Sequence, residues 1–404
     1  MPPKLYHFGS LILVGLIARG AVAERDVGTG GPYVLRAAAQ LNNSRDDTPA
    51  NVLTPDTWRR VDGSVNRALA WLAAQQQPDG SFQTLPNGQP AVTCLCVLAF
   101  MAHGHGPSDG VYGARIERAI DYTVKCQKEN GLITLIGPDG PEITRDVEAL
   151  IGKCAVYNHG ISSLTLAEVY GSTKSVDSAR IEKVINRSLV ATLTMQRWPK
   201  DKAADVGGWR YLNDYDETDS DLSVTGWQLK FLRSARNAGF NVPEQPIDDA
   251  VGFVRRCYSA RFGGFQYASN GADSRSRGMA GAGILALGHA GFHNAPEAIS
   301  SGNWLLAHDF SQYNQYLRFN PRFIHDRYHY GLFMSCQGMY QLGGKYWESF
   351  FPPVVETLLA NQQSNGSWPP ENHEYDAQFG SAYTTALALL TLGAPNQLLP
   401  IYQR

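Results

Sequence analysis

Apolar residues recur at helical spacing in two alternating kinds of segment. Segments of the first kind carry charged residues on one face, as with Arg67, with Asp121 and Lys125, and with Glu356, which is typical of a helix with one face in water. Segments of the second kind are rich in small and apolar residues, so we expect them to be buried on most sides. These second segments cover residues 92–103, 160–170, 222–238, 278–290, 330–342 and 382–392. The alternation predicts six helical hairpins.

A short phrase closes the first segment of a pair. It consists of Leu, three residues, Gln, three residues and then Gly-Ser-aromatic, and it is complete in residues 71–82 (WLAAQQQPDGSF) and 358–368 (LLANQQSNGSW). Weaker copies occur at residues 120–133, 193–209, 253–265 and 304–309. A repeat of this length is typical of stacked units that cannot bury their apolar faces alone.

This phrase resembles the QW motif of the terpenoid cyclases. The six hairpins resemble the α/α toroid shared by squalene-hopene cyclases and the beta subunits of protein prenyltransferases, and the resemblance covers residues 58–397. It implies an all-α, single-domain α/α toroid with an inner and an outer ring of helices. It also implies a ligand site in the mouth of the toroid, near the starts of the inner helices.

The ends of the chain differ from the repeats. Lys4 precedes an apolar run at residues 11–17, and the small residues Ala21 to Ala23 follow it, so residues 1–23 are predicted to be a signal peptide cleaved after Ala23. The protein is then exported, to the periplasm or the extracellular space. Residues 24–57 are predicted to be a leader or spacer and residues 398–404 a tail. No transmembrane segment is predicted in the mature chain.

Composition narrows the function classes. Hydrophobic residues make up 43% of the 404 residues, and the net charge is −2 with scattered Lys and Arg, so nucleic-acid binding is not expected. A disulfide between Cys126 and Cys154 is one interpretation of the six cysteines in an exported chain; small buried residues on helices are the other. No cluster has zinc-ligand spacing. No metal and no cofactor are predicted.

The first candidate site includes Asp219 and Asp221. The segment resembles the Asp-x-Asp-Asp-Thr region of the cyclases, with Asp221 in the place of the acid that protonates an alkene, but Leu222 and Ser223 replace the following Asp and Thr. Asp221 is also well placed to be a helix N-cap, a role in which Asn would serve nearly as well. A ligand contact is the third interpretation. The acidic residues of 214–219 form either a solvated loop or a site for a hard cation.

The second candidate site includes His329. Residues 326–331 resemble the prenyltransferase segment whose His binds zinc, but Arg277 and Met279 stand where the other ligands would be, so His329 is expected to bind no metal. His329 then acts as a base or hydrogen-bonds a ligand, or it is a structural residue at a helix start. Arg318, Arg322 and Arg327 could receive an anionic head group, or they belong to a charged loop.

The resemblance therefore implies a protein that binds or converts an isoprenoid or similar lipid in its central cavity. The alternative is a non-catalytic module that binds a cell-envelope protein or glycan. If the protein is an enzyme, Asp221 and His329 are the expected catalytic residues. The expected substrate-binding residues are Asp219, Trp209, His159, Arg277, Tyr328, Tyr330 and Tyr383.

Overall fold

The computed structural model describes residues 52–107, 109–213, 218–318 and 326–403. The elements, in chain order, are α1 Pro55–Ala74, α2 Ala91–Ala102, α3 Gly113–Lys125, α4 Ala149–Val169, α5 Ser178–Gln196, α6 Leu222–Asn237, α7 Glu244–Arg256, β1 Tyr258–Ser259, β2 Gly264–Phe265, α8 Arg277–His289, α9 Pro296–Leu306, α10 Tyr328–Leu342, α11 Gly344–Ala360, α12 Glu374–Ala377 and α13 Gly380–Leu392. The two strands form one short antiparallel ribbon. Within the described residues the fold is otherwise helical.

The helices form two concentric rings. The inner helices α2, α4, α6, α8, α10 and α13 contact one another in that order, and α13 packs back against α2 to close the ring. The helices α1, α3, α5, α7, α9 and α11 pack outside them, each against the inner helix that precedes it around the ring, so that α1 packs against α13. Small residues permit the close approach inside the ring, since a Cβ on Gly281 would lie 2.3 Å from the backbone nitrogen of Ser335. The predicted all-α toroid of six hairpins is confirmed.

At four of the six joints, the Gln of the recurring phrase connects one hairpin to the next. The Gln76 amide donates to the Gly80 carbonyl of its own turn and to the Arg115 carbonyl in α3. At the other end of the chain, the Gln362 amide donates to the Gly366 carbonyl (2.8 Å) and to the Ser64 carbonyl in α1 (2.9 Å). Gln127 and Gln196 make the corresponding pairs of bonds with Gly131 and Val184, and with Gly207 and Pro246. The Gln362 joint links the final hairpin to the first.

The Gly of the phrase lets the turn lie directly against the neighbouring outer helix. Gly366 has a φ of +96°, and a Cβ there would lie 2.5 Å from the Arg67 carbonyl oxygen. The same geometry recurs at Gly80, Gly131 and Gly207.

Gly366→Ala is therefore expected to destabilise the protein by more than the ~1–2 kcal/mol that a positive φ costs an L-residue. Gly171→Ala is the matched control, because Gly171 has a φ of +79° but no atom within 4 Å of its Cβ position. The measurement is urea unfolding of both variants. Equal losses of unfolding free energy would show that the contact with Arg67 costs nothing.

Aromatic residues that close the phrase are buried between the rings. Phe82, Trp209, Phe265 and Trp368 are each at most 1% exposed. All six cysteines are buried free thiols. The disulfide considered between Cys126 and Cys154 is therefore absent, and the second interpretation, small buried residues, describes these positions.

The predicted signal peptide and most of the predicted leader lie outside the described residues. In the part of the chain that the structure describes, no helix is long and apolar enough to cross a membrane. The predicted tail packs against the inner ring, where Leu399, Ile401 and Tyr402 are buried.

Candidate functional site

A cavity of about 190 Å³ lies in the middle of the inner ring. Every inner helix contributes to its lining near its amino-terminal end, and the contributing residues include Val92, Tyr157, Ser223, Met279, Tyr330 and Tyr383. Because all six helices run the same way through the ring, the cavity lies at the mouth formed by their starts.

The lining changes in polarity with depth. Leu95, Ile161, Trp227 and Leu387 lie further along their helices than the other lining residues, and at 1.5 Å of rise per residue they form an apolar floor. Tyrosine hydroxyls lie above this floor. The rim has charged groups from Lys153, Arg327 and Asp376. The cavity is therefore amphipathic, apolar inside and charged at its entrance.

Three hydroxyl groups line one wall in a chain. The Tyr157 hydroxyl donates to the Ser223 Oγ at 2.8 Å, and the Ser223 Oγ lies 2.9 Å from the Tyr330 hydroxyl. Burial raises the pKa of both tyrosines, so the phenols keep their protons. Three O–H groups make two hydrogen bonds with one another, which leaves one O–H proton of the chain for an acceptor on a ligand or a water molecule.

A buried ion pair supports the adjacent wall. Asp221 is fully buried; its Oδ1 accepts from the Val224 backbone N–H at 2.8 Å, and its Oδ2 accepts from Arg210 Nη1 at 2.7 Å. Burial lowers the pKa of Arg210, but the negative charge of Asp221 raises it by a larger amount, so the net shift is upward. The same Arg210 Nη1 donates to the Tyr267 hydroxyl at 2.7 Å. Asp221 therefore caps α6 and reaches the cavity only through Arg210.

Two lining tyrosines meet at the end of this ion pair. The Tyr267 hydroxyl, which receives the Arg210 hydrogen bond, is itself hydrogen-bonded to the Tyr211 hydroxyl. Both rings line the cavity. The Arg210 guanidinium also lies over the Tyr211 ring, 4.1 Å from its centroid. The guanidinium thus holds both phenols in place.

The rim combines two cations with one carboxylate. The Arg327 Nε lies 3.3 Å from the Asp376 Oδ1, and the Lys153 ammonium lies over the Tyr375 ring at 5.6 Å. Burial raises the pKa of Asp376, against the opposing effects of Arg327 and Lys153. The sum of these charges leaves the rim positive when Asp376 is ionised, which suits an anionic or strongly polar head group.

A second carboxyl group lies behind the rim. Glu371 accepts hydrogen bonds from the backbone N–H groups of Tyr328 (2.5 Å) and His329 (2.9 Å) at the start of α10. Burial, and then the neighbouring Asp376, raise its pKa to about 8. Both oxygens are used in capping α10, so Glu371 positions the helix that carries Tyr330.

Three of the predicted site residues lie beside α10 but do not line the cavity. His329 is 1% exposed, its Nε2 lies 3.3 Å from the Tyr313 hydroxyl, and burial lowers its pKa to about 3. The Tyr328 hydroxyl donates to the Phe310 carbonyl. Arg277 is buried against Asp326, with 2.7 Å between Nη2 and Oδ2. These three hold the loop before α10 in place.

Three others lie at the joints between hairpins. The Trp209 Nε1 donates to the Thr192 carbonyl at 2.8 Å. The His159 Nδ1 accepts from the Ile133 N–H at 3.2 Å. Asp219 pairs with Arg145 at 3.4 Å. Of the nine predicted site residues, only Tyr330 and Tyr383 line the cavity directly, while Asp221 is connected to it through Arg210.

Among the described residues there is no group of three or more His, Cys, Asp or Glu side chains that could hold a metal ion. Asp214, Asp216 and Glu217 of the acidic segment lie outside the described residues, as does Arg322. No sequence feature distinguishes the loop tyrosines Tyr211 and Tyr267 from other residues of their segments.

No protein-family model matches the chain, and no curated protein matches it. Among solved structures, the type II terpene cyclase MstE from Scytonema is 14% identical, with a TM-score of 0.52, covering 84% of this chain and 99% of that one. A variant of MstE in complex with geranylgeranyl dihydroxybenzoate, its substrate, is also 14% identical, with a TM-score of 0.51, covering 86% of this chain and 100% of that one.

Sugar-processing enzymes share the same fold. A GH76 α-mannanase of Bacteroides thetaiotaomicron is 12% identical, with a TM-score of 0.52, covering 83% of this chain and 95% of that one. A glycosidase in complex with glucose is 11% identical, with a TM-score of 0.54, covering 86% of this chain and 100% of that one. Likenesses at this identity show the α/α toroid fold and leave the chemistry to be argued from the cavity.

Proposed function

We propose that this toroid binds a small amphipathic ligand, an isoprenoid or similar lipid, in its central cavity. The observation that carries the proposal is the order of the lining, from an apolar floor at Trp227 through hydroxyl groups to the charged rim at Lys153 and Arg327. An isoprenoid chain would fit the floor, and its polar end would face the hydroxyls and the rim. Export, as the amino-terminal sequence indicates, would place this site in the periplasm or outside the cell.

The size of the cavity limits the ligand. Its volume of about 190 Å³ is below the roughly 300–1,000 Å³ usual for small-molecule pockets. We therefore propose a short chain, or one end of a longer lipid whose remainder stays outside the rim.

Binding is favoured over cyclisation by the surroundings of Asp221 and Trp227. Both Asp221 oxygens accept hydrogen bonds, one of them from the Arg210 guanidinium, whereas protonating an alkene requires a carboxylic acid with a proton to give. The Lys230 Nζ lies 3.9 Å from the centroid of the Trp227 ring, so one face of that ring is already occupied by an amine. We propose that Asp221 positions Tyr211 and Tyr267, and that His329 stabilises the start of α10.

The second candidate function is binding of a glycan. The lining has many tyrosine rings and hydroxyl groups, which stack on sugar rings and hydrogen-bond to sugar hydroxyls, and one structure of the same fold contains glucose. Hydrolysis would need a pair of carboxyl groups across the scissile bond. In the described lining the single carboxylate is Asp376, so the second candidate is binding without hydrolysis.

A thermal-shift screen of the mature protein separates the two classes. Geranyl diphosphate, farnesol and squalene form one set, and glucose and mannobiose the other. A ligand present at a hundredfold its Kd adds about 2.7 kcal/mol to the unfolding free energy. We expect a shift with at least one isoprenoid. Shifts confined to the sugars would favour the glycan module, and no shift in either set would refute both.

Tyr330→Phe is expected to weaken binding of the isoprenoid found in the screen by about 2- to 12-fold, which corresponds to one hydrogen bond of ~0.5–1.5 kcal/mol. Tyr328→Phe is the matched control, two residues away on the same helix, because the Tyr328 hydroxyl bonds the Phe310 carbonyl outside the cavity. Isothermal titration of both variants is the measurement. If both variants bind like wild type, the hydroxyl chain does not contact the ligand.

A further inference from the structure

Residues 399–403 close the ring opposite the cavity mouth. We refer to residues 399–403 as the C-terminal plug. Leu399, Ile401 and Tyr402 are at most 4% exposed, and the plug packs against residues toward the carboxyl ends of the inner helices, among them Glu168 of α4 and Gln341 of α10. The toroid therefore has a second opening that this short segment fills.

Few bonds hold the plug. The Ile401 backbone N–H donates to Glu168 Oε2 at 3.3 Å, and Gln341 Nε2 donates to the Tyr402 carbonyl at 3.0 Å. The Tyr402 ring packs edge-on against Phe333, with 5.9 Å between centroids, and Phe333 stacks on Trp227, which lines the central cavity. A single aromatic layer thus separates the plug from the cavity floor.

An amine without a counter-charge lies under the plug. Lys230 is 3% exposed, and its Nζ lies 3.3 Å from the Met334 sulfur and 5.9 Å from the Tyr402 ring centroid. It makes no ion pair with any residue that the structure describes. An ammonium in apolar surroundings is unfavourable unless it is paired.

Polar atoms of the plug and of the helix end beneath it lack hydrogen-bond partners. Among the described residues, the Gln341 Oε1 and the Tyr402 hydroxyl are buried without a hydrogen-bond partner. Buried groups without partners disfavour the closed arrangement, because each would be hydrated if the plug opened.

We propose that the C-terminal plug is a gate at the second end of the toroid, held shut when the Lys230 amine is uncharged and loosened when it is protonated. Opening would let water reach Lys230 and His289. It would also leave Phe333 and Trp227 as the only layer over the cavity floor.

The titratable groups around the plug differ in whether their protonation favours or opposes closure, and in the pH range over which they titrate. Burial lowers the pKa of Lys230 to about 7 from 10.5. Lys230 therefore binds a proton more readily when the plug is open than when it is closed. Closure accordingly becomes more favourable as pH rises from about 7 toward 10.5. Burial, followed by Lys230, Arg233 and His293, lowers the pKa of His289 to about 3 from 6.5. His289 also makes closure more favourable as pH rises, but only between pH values of about 3 and 6.5.

Glu168 acts in the opposite direction. Burial raises its pKa, against its hydrogen bonds from Ser234 and Ile401, so the stability that its protonated form gives to closure is lost as pH rises through that raised pKa. Burial lowers the pKa of Arg233, but a guanidinium group stays protonated throughout this range. We therefore assign the pH dependence of plug closure above pH 7 to Lys230.

Hydrogen exchange at the Ile401, Tyr402 and Gln403 amides tests the gate in the full-length protein. After correction for the intrinsic rate, protection in wild type is expected to increase by about a hundredfold between pH 7 and pH 9.5, as linkage to one such group predicts. Lys230→Met should abolish this increase. Lys200→Met is the control, because Lys200 is another largely buried lysine whose pKa burial lowers, to about 8, and its Nζ bonds the Asp219 carbonyl far from the plug.

An equal pH dependence in Lys230→Met and wild type would overturn the proposal, and so would its loss in Lys200→Met alone. A second measurement needs no variant. Limited proteolysis within residues 397–403 of wild type, divided by the cleavage rate of a free peptide of residues 397–404, should be at least about tenfold slower at pH 9 than at pH 7. A ratio that does not change with pH would refute the gate even if Lys230→Met fails to fold.

Discussion

Asp221→Asn is expected to lower the free energy of unfolding by about 3–5 kcal/mol, because it removes one partner of a buried ion pair and leaves the other charge unpaired. Arg210 is 9% exposed and Asp221 0% as side chains, and 2.7 Å separates the paired atoms. As a helix cap alone, Asp221 would tolerate Asn. The ion pair is what makes the substitution costly. Urea unfolding with two probes measures the loss.

Two further variants distinguish the ion pair from the cap. Asp219→Asn, two residues earlier, breaks a longer and less buried pair with Arg145 but keeps an acceptor for the Asp201 N–H, so it should cost less than Asp221→Asn. Asp221→Asn combined with Arg210→Met should recover part of the loss, since neither charge then remains buried. If Asp221→Asn alone is as stable as wild type, then Arg210 is solvated in solution.

The toroid could be predicted because its determinants are local and repeated. The Gln, the Gly and the aromatic residue of each phrase lie within a dozen residues of one another, as in residues 71–82. Each performs a task that its chemistry allows: an amide bridges two carbonyls, a glycine takes a positive φ and an aromatic ring fills the joint. Helical periodicity then distinguishes the outer helices, which have one solvent-exposed face, from the buried inner helices.

The cavity could be predicted only in part. Tyr330 and Tyr383 lie within four residues of an inner-helix start, where the fold places the mouth, and both line the cavity. Tyr157 lies two turns into α4 and has no sequence feature that distinguishes it from a core residue. Tyr211 and Tyr267 come from connecting segments, whose path does not follow helical periodicity.

The surroundings of Asp221 show why contacts between particular side chains could not be predicted from the sequence. Trp209 and Asp221 form an isolated antiparallel bridge, and that bridge brings Arg210 beside the carboxylate. Nothing in the spacing of the two residues predicts it. Similarly, Arg277 was considered because of its place on an inner helix, but Asp326 and the carbonyls of Asp309 and Gln315 bind it. Its role in the structure is to hold a loop.

Trp368→Ala is expected to cost about 3–5 kcal/mol of unfolding free energy, the range for truncating a fully buried Trp. Trp368 is 0% exposed, its Nε1 donates to the Leu358 carbonyl at 3.0 Å and its backbone N–H donates to Thr385 Oγ1 at 3.1 Å. It lies in the joint where Gln362 connects the last hairpin to the first, so its loss would loosen the closure of the ring.

Trp368→Phe is the control for this substitution. It keeps an aromatic ring in the joint but removes the indole N–H, so it should cost less than Ala, with ~1–3 kcal/mol from the Leu358 carbonyl left without its partner. Both losses are measured by urea unfolding at one pH. If Trp368→Ala loses less than about 1 kcal/mol, the joint collapses around the missing ring, and closure of the toroid then depends on the hydrogen bonds of Gln362 to Ser64 and Gly366 rather than on the buried indole.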